Sequence, residues 1–226
     1  MVQKSAIVIG ASGEVGSQLM SLLLQDPRYA QIISLGRSPS EHKNDKLTFH
    51  KVDLLDDSTF EKYLNTDEIY CCIGTTRAKT PDKDTYRAID HGIPVRLAKY
   101  SQKHSIPVMI VVSAMGADPD SRLFYNRTKG EMERDVQRYF KNKLHLVRPS
   151  LIDSERKELR LGERIGIYAM RILNPLLVGS LKNYRSISSM AIAKAMVQLA
   201  NQMYVGVAME SETLKQLAEA YDRDRT

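Results

Sequence analysis

The chain contains no tryptophan, four phenylalanines and two cysteines among its 226 residues. With so few large aromatic rings, it has little of the surface on which single-stranded nucleic acid stacks its bases. It has no apolar run of about 18 or more residues, so no transmembrane span is predicted. Residues 1–4 lead into an apolar strand without the hydrophobic segment of a secretory signal. We therefore expect a cytoplasmic protein.

The two cysteines, Cys71 and Cys72, are adjacent within an apolar run. Neighbouring strand residues point to opposite faces of a sheet, so an ordinary disulfide between them is not expected. Two ligands are also too few for a structural metal site. Both cysteines are therefore interpreted as small buried residues, and no metal site is predicted.

The formal net charge is +6, a sign that suits nucleic acid or an anionic membrane surface. However, basic residues are mixed with acidic ones, as in 131–135 and 153–158, and no block consists of Lys and Arg alone. This mixture is typical of a solvated surface. A nucleic-acid partner is therefore not expected, although it stays open as one use of the fold.

The most informative segment is the glycine-rich stretch 10–16, Gly-Ala-Ser-Gly-Glu-Val-Gly. An apolar strand precedes it, and apolar residues recur at helical spacing after it. On a strand-to-helix turn, the first glycine permits the turn, the second lets backbone approach a pyrophosphate, and the third lets the helix pack closely. A turn that binds nothing is the alternative. The predicted cofactor contacts are Gly10, Ser12, Gly13, Glu14, Val15 and Gly16.

Strand-like and helix-like runs alternate over the first 150 residues. This alternation predicts βαβ units and a parallel sheet with helices on both faces. Right-handed connections then give the strand order 3-2-1-4-5-6 of a Rossmann-type doubly wound α/β fold. The predicted strands are 5–9, 31–35, 47–52, 68–73, 108–112 and 144–147, and the predicted helices are 14–25, 57–64, 85–103 and 125–140.

The pattern changes after Pro149, and the remaining tail is short for an independent domain. We predict that residues 1–226 form a single NAD(P)-binding domain. Within it, 151–226 would complete the sheet and roof the substrate cleft. The elements predicted in the tail are a helix near 163–173, a helix over 188–200, an additional strand over 205–209 and a capped helix over 214–220.

A second motif combines Ser113, at the end of a predicted strand, with Tyr125 and Lys129, one turn apart on a predicted helix. Ligands bind at the carboxyl ends of strands in an open α/β sheet. A Tyr hydroxyl can protonate a developing alkoxide, an ammonium group can lower the pKa of that Tyr and hold a ribose, and a Ser hydroxyl can orient a carbonyl oxygen. Ser113, Tyr125 and Lys129 are therefore the predicted catalytic residues. The alternative is a surface tyrosine beside a solvated lysine.

Together these motifs resemble the short-chain dehydrogenase/reductase superfamily over essentially the whole chain. They are most similar to an atypical branch, the Tat-interacting-protein family of NADPH-binding oxidoreductase-like proteins. Besides the glycine loop, the resemblance is carried by Cys-Cys-Ile-Gly-Thr-Thr-Arg at 71–77, Val-Ser-Ala-Met-Gly-Ala at 112–117, the segment 125–131 and Arg148-Pro149. It implies that Gly74 and Thr75 line the nicotinamide side of the cleft, that Pro149 and Ser150 lie beside the nicotinamide, and that Asp53 and Leu54 contact the adenine.

The residue after the second predicted strand distinguishes NAD from NADP. NAD sites usually place Asp or Glu there for the ribose 2′-hydroxyl. Here 34–38 reads Ser-Leu-Gly-Arg-Ser, without an acid. The Arg37 guanidinium suits a 2′-phosphate through bidentate hydrogen bonds, and Ser38 adds a hydroxyl donor. We predict NADP(H) as the cofactor; a surface arginine at a strand end is the alternative.

The sequence departs from the superfamily pattern at Asp90. Many members carry Asn in the helix before the catalytic strand, where it supports a water that relays protons, and a carboxylate changes such a relay. Two functions therefore compete. The first is an NADPH-dependent oxidoreductase acting on a small carbonyl or related substrate. The second is a catalytically weak NADPH-binding regulatory or interaction protein. The substrate is not identified, and a homodimer stays open.

Overall fold

A parallel sheet of seven strands lies at the centre of the residues that the computed structural model describes, 3–153 and 179–225. Both faces of this sheet are covered, and residues 6–9 of the first strand form a continuous buried apolar run, as is usual for parallel strands. Its strands are β1 (Lys4–Ile9), β2 (Tyr29–Gly36), β3 (Leu47–Lys51), β4 (Glu68–Cys71), β5 (Val108–Val112), β6 (Lys143–Arg148) and β9 (Ala208–Glu210). They lie in the order β3-β2-β1-β4-β5-β6-β9, and every pair is parallel. Two short strands, β7 (Ile152–Asp153) and β8 (Ile187–Ser188), form a separate pair.

The predicted Rossmann-type order is confirmed, and the expected additional strand is β9 at the β6 edge. The helix expected near 163–173 lies outside the described residues. The helices within them are α1 (Glu14–Gln25), α2 (Asp57–Phe60), α3 (Lys83–Arg87), α4 (Ile93–Lys103), α5 (Phe124–Tyr139), α6 (Ser189–Asn201) and α7 (Ser211–Arg223).

Two apolar layers cover the sheet, and the strand period of two assigns residues to them. Ala6 and Val8 face the layer of α1, α6 and α7, whereas Ile7 and Ile9 face the layer of α2, α4 and α5. The adjacent cysteines obey the same rule: Cys71 belongs to the second layer and Cys72 packs against the first. Both are free thiols, and burial raises the pKa of Cys71 to about 11. The expectation that both are buried holds for Cys71, whereas Cys72 is only partly buried.

Asp26, which follows α1 and is fully buried, connects the C-terminal end of the chain to the rest of the fold through an ion pair. Its carboxylate accepts hydrogen bonds from the Arg28 side chain at 2.6–3.1 Å and forms an ion pair with Arg225. Burial raises the pKa of Asp26, but the hydrogen bonds and charge of Arg28 and the charge of Arg225 outweigh burial, so the net shift is downward.

Replacing Asp26 by Asn is expected to lower the free energy of unfolding at neutral pH by about 1.5–3 kcal/mol, because charge-assisted hydrogen bonds are lost. A lowered folded-state pKa means that the carboxylate stabilises the fold above its unfolded-state pKa. This contribution is lost as the pH falls through the folded-state pKa. Below about pH 4, the free energy of unfolding measured with denaturant should therefore fall more steeply with decreasing pH in the wild type than in the variant. Equal slopes would contradict the assignment.

Candidate functional site

The glycine loop joins β1 to α1 at the carboxyl edge of the sheet. Gly10 has a φ of +79°, and a Cβ there would lie 2.7 Å from the Cys72 carbonyl oxygen. A Cβ on Gly16 would lie 2.1 Å from the Gly10 carbonyl oxygen. The Gly13 N–H donates to that same oxygen at 2.9 Å. The loop therefore has room for bare backbone only, and α1 approaches β1 more closely than any side chain would allow.

The N-terminus of α1 offers backbone donors at this edge. The helix begins after Gly13, and no side chain caps it. The first amides of a helix have no partner within it and carry a partial positive charge, an arrangement that attracts phosphate. Ser12 is exposed just before the helix, and Val15 is buried beneath it. Glu14 lies in the first turn with Oε1 buried and, within the described part of the chain, without a hydrogen-bond partner.

The residues predicted to hold the adenosine end follow β2 and β3. Arg37 and Ser38 come directly after β2, and both are exposed. After β3, Leu54 is buried, whereas Asp53 is exposed and shapes its own turn. Its Oδ1 accepts from the Leu55 N–H at 2.9 Å. The Asp53 carboxylate is therefore already engaged in an Asx turn.

The loop after β4 carries Gly74 and Thr75, and both lie next to the Asp90 carboxylate. The Thr75 N–H donates to Asp90 Oδ2 at 2.7 Å, and the Thr75 hydroxyl shares a hydrogen bond with Thr80 at 2.8 Å. Gly74 is exposed beside the same carboxylate, and a Cβ there would lie at an ordinary 3.6 Å from Asp90 Oδ1.

Ser113 lies directly after β5 and is buried. Its N–H donates to the Val147 carbonyl oxygen at 2.7 Å, which holds the residue to β6. Its hydroxyl is buried and has no hydrogen-bond partner among the described residues. Buried hydroxyls are normally paired, so this oxygen is suited to a ligand that supplies a partner.

Helix α5 is docked onto the loop after Ser113 by two close contacts. A Cβ on Gly130 would lie 2.1 Å from the Asp118 carbonyl carbon, so the helix backbone touches the loop. The Asn126 side chain donates to the Gly116 carbonyl oxygen at 2.8 Å, where Gly116 has a φ of +76°. These contacts fix the first turns of α5 at the carboxyl edge of β5.

Lys129 and Asp90 form a buried ion pair next to Tyr125. Lys129 Nζ lies 2.9 Å from Asp90 Oδ1, and the two residues are 4% and 1% exposed. Burial lowers the pKa of Lys129, but the Asp90 and Tyr125 charges outweigh burial and the net shift is upward. Tyr125 is 42% exposed. Burial of its hydroxyl raises the pKa of Tyr125; Lys129 lowers this pKa, and Asp90 raises it.

Asp90 reaches this position from a π-helical turn over Ala88–Gly92, between α3 and α4. The helical run expected over 85–103 is present, since the chain is helical from Lys83 to Lys103, but the π-helical turn within it was not expected. Pro94 has no N–H, and its ring would clash with the carbonyl of the residue four positions earlier in a regular helix. The widened turn avoids this, and the Ile93 N–H bonds to the Ala88 carbonyl oxygen instead. Such turns are frequent at functional sites, and Pro94 was the available signal.

Pro149 and Ser150 follow β6. Pro149 is buried, and its carbonyl oxygen accepts from the Met115 N–H at 3.0 Å. The Ser150 hydroxyl donates to the Arg185 carbonyl oxygen and shares a 2.9 Å hydrogen bond with the Ser211 hydroxyl. This hydroxyl therefore ties the strand end to the C-terminal part of the chain.

All predicted site residues thus lie along one edge of the sheet, where β1 to β6 end and α1 and α5 begin. Hydrogen bonds and the ion pair join Thr75, Asp90 and Lys129 directly. Arg37 and Ser38 lie further along the edge, at the end of the strand beside β1. The arrangement is an extended edge with the backbone amides of the glycine loop and α1 near its middle and ionisable groups on its β4–β5 side.

Residues 6–149 match the family described as the NAD dependent epimerase/dehydratase family. The match spans β1 to β6 and includes the glycine loop, Ser113, Tyr125 and Lys129. The chain belongs to the NAD dependent epimerase/dehydratase family. Family membership agrees with the glycine loop, whose bare backbone lets the N-terminus of α1 approach β1 closely, as in dinucleotide-binding folds.

Curated relatives of this epimerase/dehydratase-family protein extend the match in sequence. Protein FMP52, mitochondrial, of Candida albicans is 30% identical over 159 residues, which are 68% of this chain and 69% of the relative. Protein fmp52, mitochondrial, of Aspergillus clavatus is 32% identical over 165 residues, 69% of this chain and 70% of the relative. Protein HTATIP2 of Rattus norvegicus is 27% identical over 167 residues, 72% of this chain and 69% of the relative. The resemblance to the Tat-interacting-protein branch is confirmed.

Solved structures of similar fold include the UDP-N-acetylglucosamine 4-epimerase of Methanobrevibacter ruminantium, with a TM-score of 0.69 and 18% identity, covering 100% of this chain and 84% of that one. A short chain dehydrogenase family protein of Francisella tularensis has a TM-score of 0.63 and 15% identity, covering 94% of this chain and 99% of that one. At these identities the likeness shows the fold.

The expectation of a cytoplasmic protein is wrong, because relatives of Candida and Aspergillus are named as mitochondrial proteins. The lack of a hydrophobic secretory segment bears on secretion alone, since mitochondrial targeting uses amphipathic, Arg-rich segments instead. In the part of the chain that the structure describes, no helix has the length and apolar character needed to cross a membrane.

Proposed function

We propose that the protein is an NADPH-dependent oxidoreductase that reduces a small carbonyl or related substrate. The observation that carries the proposal is one edge of a parallel sheet, where the bare-backbone glycine loop lies with the buried Ser113 hydroxyl and the helix turn that carries Tyr125 and Lys129. Among the described residues the Ser113 hydroxyl has no hydrogen-bond partner. We also propose one domain over residues 1–226, with 151–226 completing the sheet and roofing the cleft. From the names of its relatives, we propose a mitochondrial location.

The cofactor is assigned to residues along the whole edge. When bound, NADPH would supply a hydride. The glycine loop would hold the pyrophosphate through the amides of α1, and Lys129 would hold the nicotinamide ribose. The remaining proposed contacts are Arg37 and Ser38 at the 2′-phosphate, Asp53 and Leu54 at the adenine, and Gly74, Thr75, Pro149 and Ser150 around the nicotinamide.

The chemistry of the chain's own groups suits reduction. The Ser113 hydroxyl, which has no partner among the described residues, would donate a hydrogen bond to a carbonyl oxygen. The Tyr125 hydroxyl would give its proton to the same oxygen as negative charge develops there. An ordinary tyrosine, with a pKa of about 10, already carries its proton at neutral pH, the state that a general acid requires. Burial raises the pKa of Tyr125 further.

The test is an NADPH-oxidation screen with aldehydes, ketones and quinones. We expect at least one class to be reduced, with one NADPH consumed for each alcohol formed. Binding of NADPH without turnover of any class would contradict the proposal. It would instead favour the second candidate, an NADPH-binding regulatory or interaction protein. The observation behind that candidate is the Asp90–Lys129 ion pair, which neutralises the ammonium expected to activate Tyr125.

Replacing Arg37 by Asp is expected to weaken NADPH binding by about 10–100-fold, the value of charge-assisted hydrogen bonds of about 1.5–3 kcal/mol, and to leave NADH binding intact or improved. Titration calorimetry with both nucleotides measures the change. Arg138→Asp is the matched control, because it makes the same charge change on an exposed arginine in the last turn of α5. If Arg37→Asp keeps the wild-type preference for NADPH, Arg37 does not read the 2′-phosphate.

A further inference from the structure

Asp90 occupies a position from which it controls the charge around Tyr125. One carboxylate oxygen pairs with Lys129 at 2.9 Å and the other accepts from the Thr75 N–H at 2.7 Å. We propose that Asp90 is a positioning residue that offsets the charge of Lys129 and so keeps the Tyr125 hydroxyl protonated into the alkaline range. The role of that hydroxyl as the proton donor in carbonyl reduction rests on the proposed function; the protonation of Tyr125 does not.

The first step in the argument is that the pair is fixed. Asp90 and Lys129 are almost fully buried, and a buried charge without its partner is strongly unfavourable. Asp90 lies on the π-helical turn, and its hydrogen bond from the Thr75 N–H holds the carboxylate in the orientation that pairs with Lys129. Separating the two charges would leave each of them buried without a partner, at a large cost in free energy, so Lys129 stays paired with Asp90.

The second step concerns the charges that surround Tyr125. Lys129 faces it from the same helix and Asp90 from the π-helical turn, with opposite effects on the pKa of Tyr125. Tyr86 of α3 is also close enough for its charge to interact, and it donates to the Thr75 carbonyl oxygen at 3.2 Å. Cys71 of β4 lies near the pair, and burial raises the pKa of its thiol, so it stays neutral. The Asp90 carboxylate therefore offsets the one cation in this described group.

The third step is the consequence for chemistry. Reduction of one carbonyl takes up one hydride from NADPH and one proton from the Tyr125 hydroxyl; the C=O π bond breaks, and C–H and O–H bonds form. The tyrosinate left behind recovers its proton from water. Alcohol oxidation needs the reverse, a tyrosinate that removes the alcohol proton. Because Asp90 offsets the charge of Lys129, the ammonium does little to stabilise this tyrosinate. The hydroxyl therefore keeps its proton over a wider pH range, and reduction should persist into the alkaline range.

The experiment follows the ionisation of Tyr125 by NMR of ring-labelled tyrosine in the protein without cofactor, with Tyr125→Phe identifying the signal. In the wild type, we expect a midpoint above the ordinary tyrosine value of about 10. In Asp90→Asn, which keeps a carbonyl oxygen for the Thr75 N–H, we expect the midpoint to fall by about one unit or more. Each unit raises the tyrosinate fraction below the midpoint about tenfold.

Asp135→Asn is the matched control. It removes a carboxylate that links the same π-helical turn to α5, through His91 at 2.8 Å, without touching Lys129. We expect this variant to leave the Tyr125 midpoint unchanged. A wild-type midpoint below the ordinary value, or an equal shift in both variants, would overturn the proposal. The wild-type measurement stands even if Asp90→Asn fails to fold. Since no turnover is involved, failure of the reductase assignment appears separately, in the substrate screen.

Discussion

Replacing Tyr125 by Phe is expected to lower NADPH-dependent carbonyl reduction by about 10²–10⁴-fold, the usual contribution of a positioned general acid. The substitution removes one hydroxyl and keeps the ring, so the packing of α5 is retained. NADPH affinity should change little, because the cofactor is assigned mainly to the glycine loop, Arg37 and Lys129. Steady-state kinetics together with NADPH titration separates the two effects.

Tyr139→Phe is a close control for this prediction. Tyr139 ends the same helix and is 40% exposed, against 42% for Tyr125. Its hydroxyl is at the opposite end of α5 from the site, so the control should keep full activity. If Tyr125→Phe retains wild-type turnover, the proton donor is another group and the catalytic assignment fails.

Replacing Gly16 by Ala is expected to destabilise the protein by about 1–3 kcal/mol or more, as overpacking of a tight core does. The added Cβ would lie 2.1 Å from the Gly10 carbonyl oxygen, and that neighbour is backbone. The N-terminus of α1 must therefore move away from β1. Thermal unfolding should shift by about 2–4 °C for each kcal/mol in a chain of this size, and the stabilisation by NADPH should disappear with the cradle.

Gly92→Ala provides the comparison. A Cβ at Gly92 would meet its nearest atom, the Arg87 carbonyl oxygen, at 3.9 Å, which is ordinary contact. This substitution should be neutral or stabilising by up to about 1 kcal/mol, because alanine favours helix. A Gly16→Ala protein as stable as Gly92→Ala, with unchanged NADPH binding, would show that the close approach of α1 to β1 is not needed.

The sheet order could be predicted because two local patterns determine it. Apolar strands that alternate with helices are joined by right-handed crossovers. The glycine loop marks the first strand, beside which the order of the strands reverses. Helix 14–25 was predicted with its observed bounds. The helical run over 85–103 was predicted as well, but its π-helical turn was not, because the effect of Pro94 on the preceding turn depends on the backbone geometry of that turn rather than on apolar spacing.

The site could be predicted where its chemistry follows from the type of residue. It could be predicted less well where it depends on contacts between side chains that are distant in sequence. The roles of Ser113, Tyr125 and Lys129 stay predictions, and the structure places them at the expected strand end and helix start. Asp90 was recognised as a departure, but its ion pair with Lys129 requires two elements far apart in sequence to meet. The buried hydrogen bonds of the Ser150 hydroxyl also arise from a distant segment.

The central claim is that this edge transfers a hydride from NADPH to a carbonyl carbon under the control of Tyr125. The most direct measurement uses NADPH carrying deuterium at the transferred position, incubated with a panel of carbonyl compounds and followed by mass spectrometry. The account predicts deuterium on the alcohol carbon of at least one product with the wild type, and a much lower yield with Tyr125→Phe. Deuterium in none of the products, with NADPH bound to the protein, would contradict it.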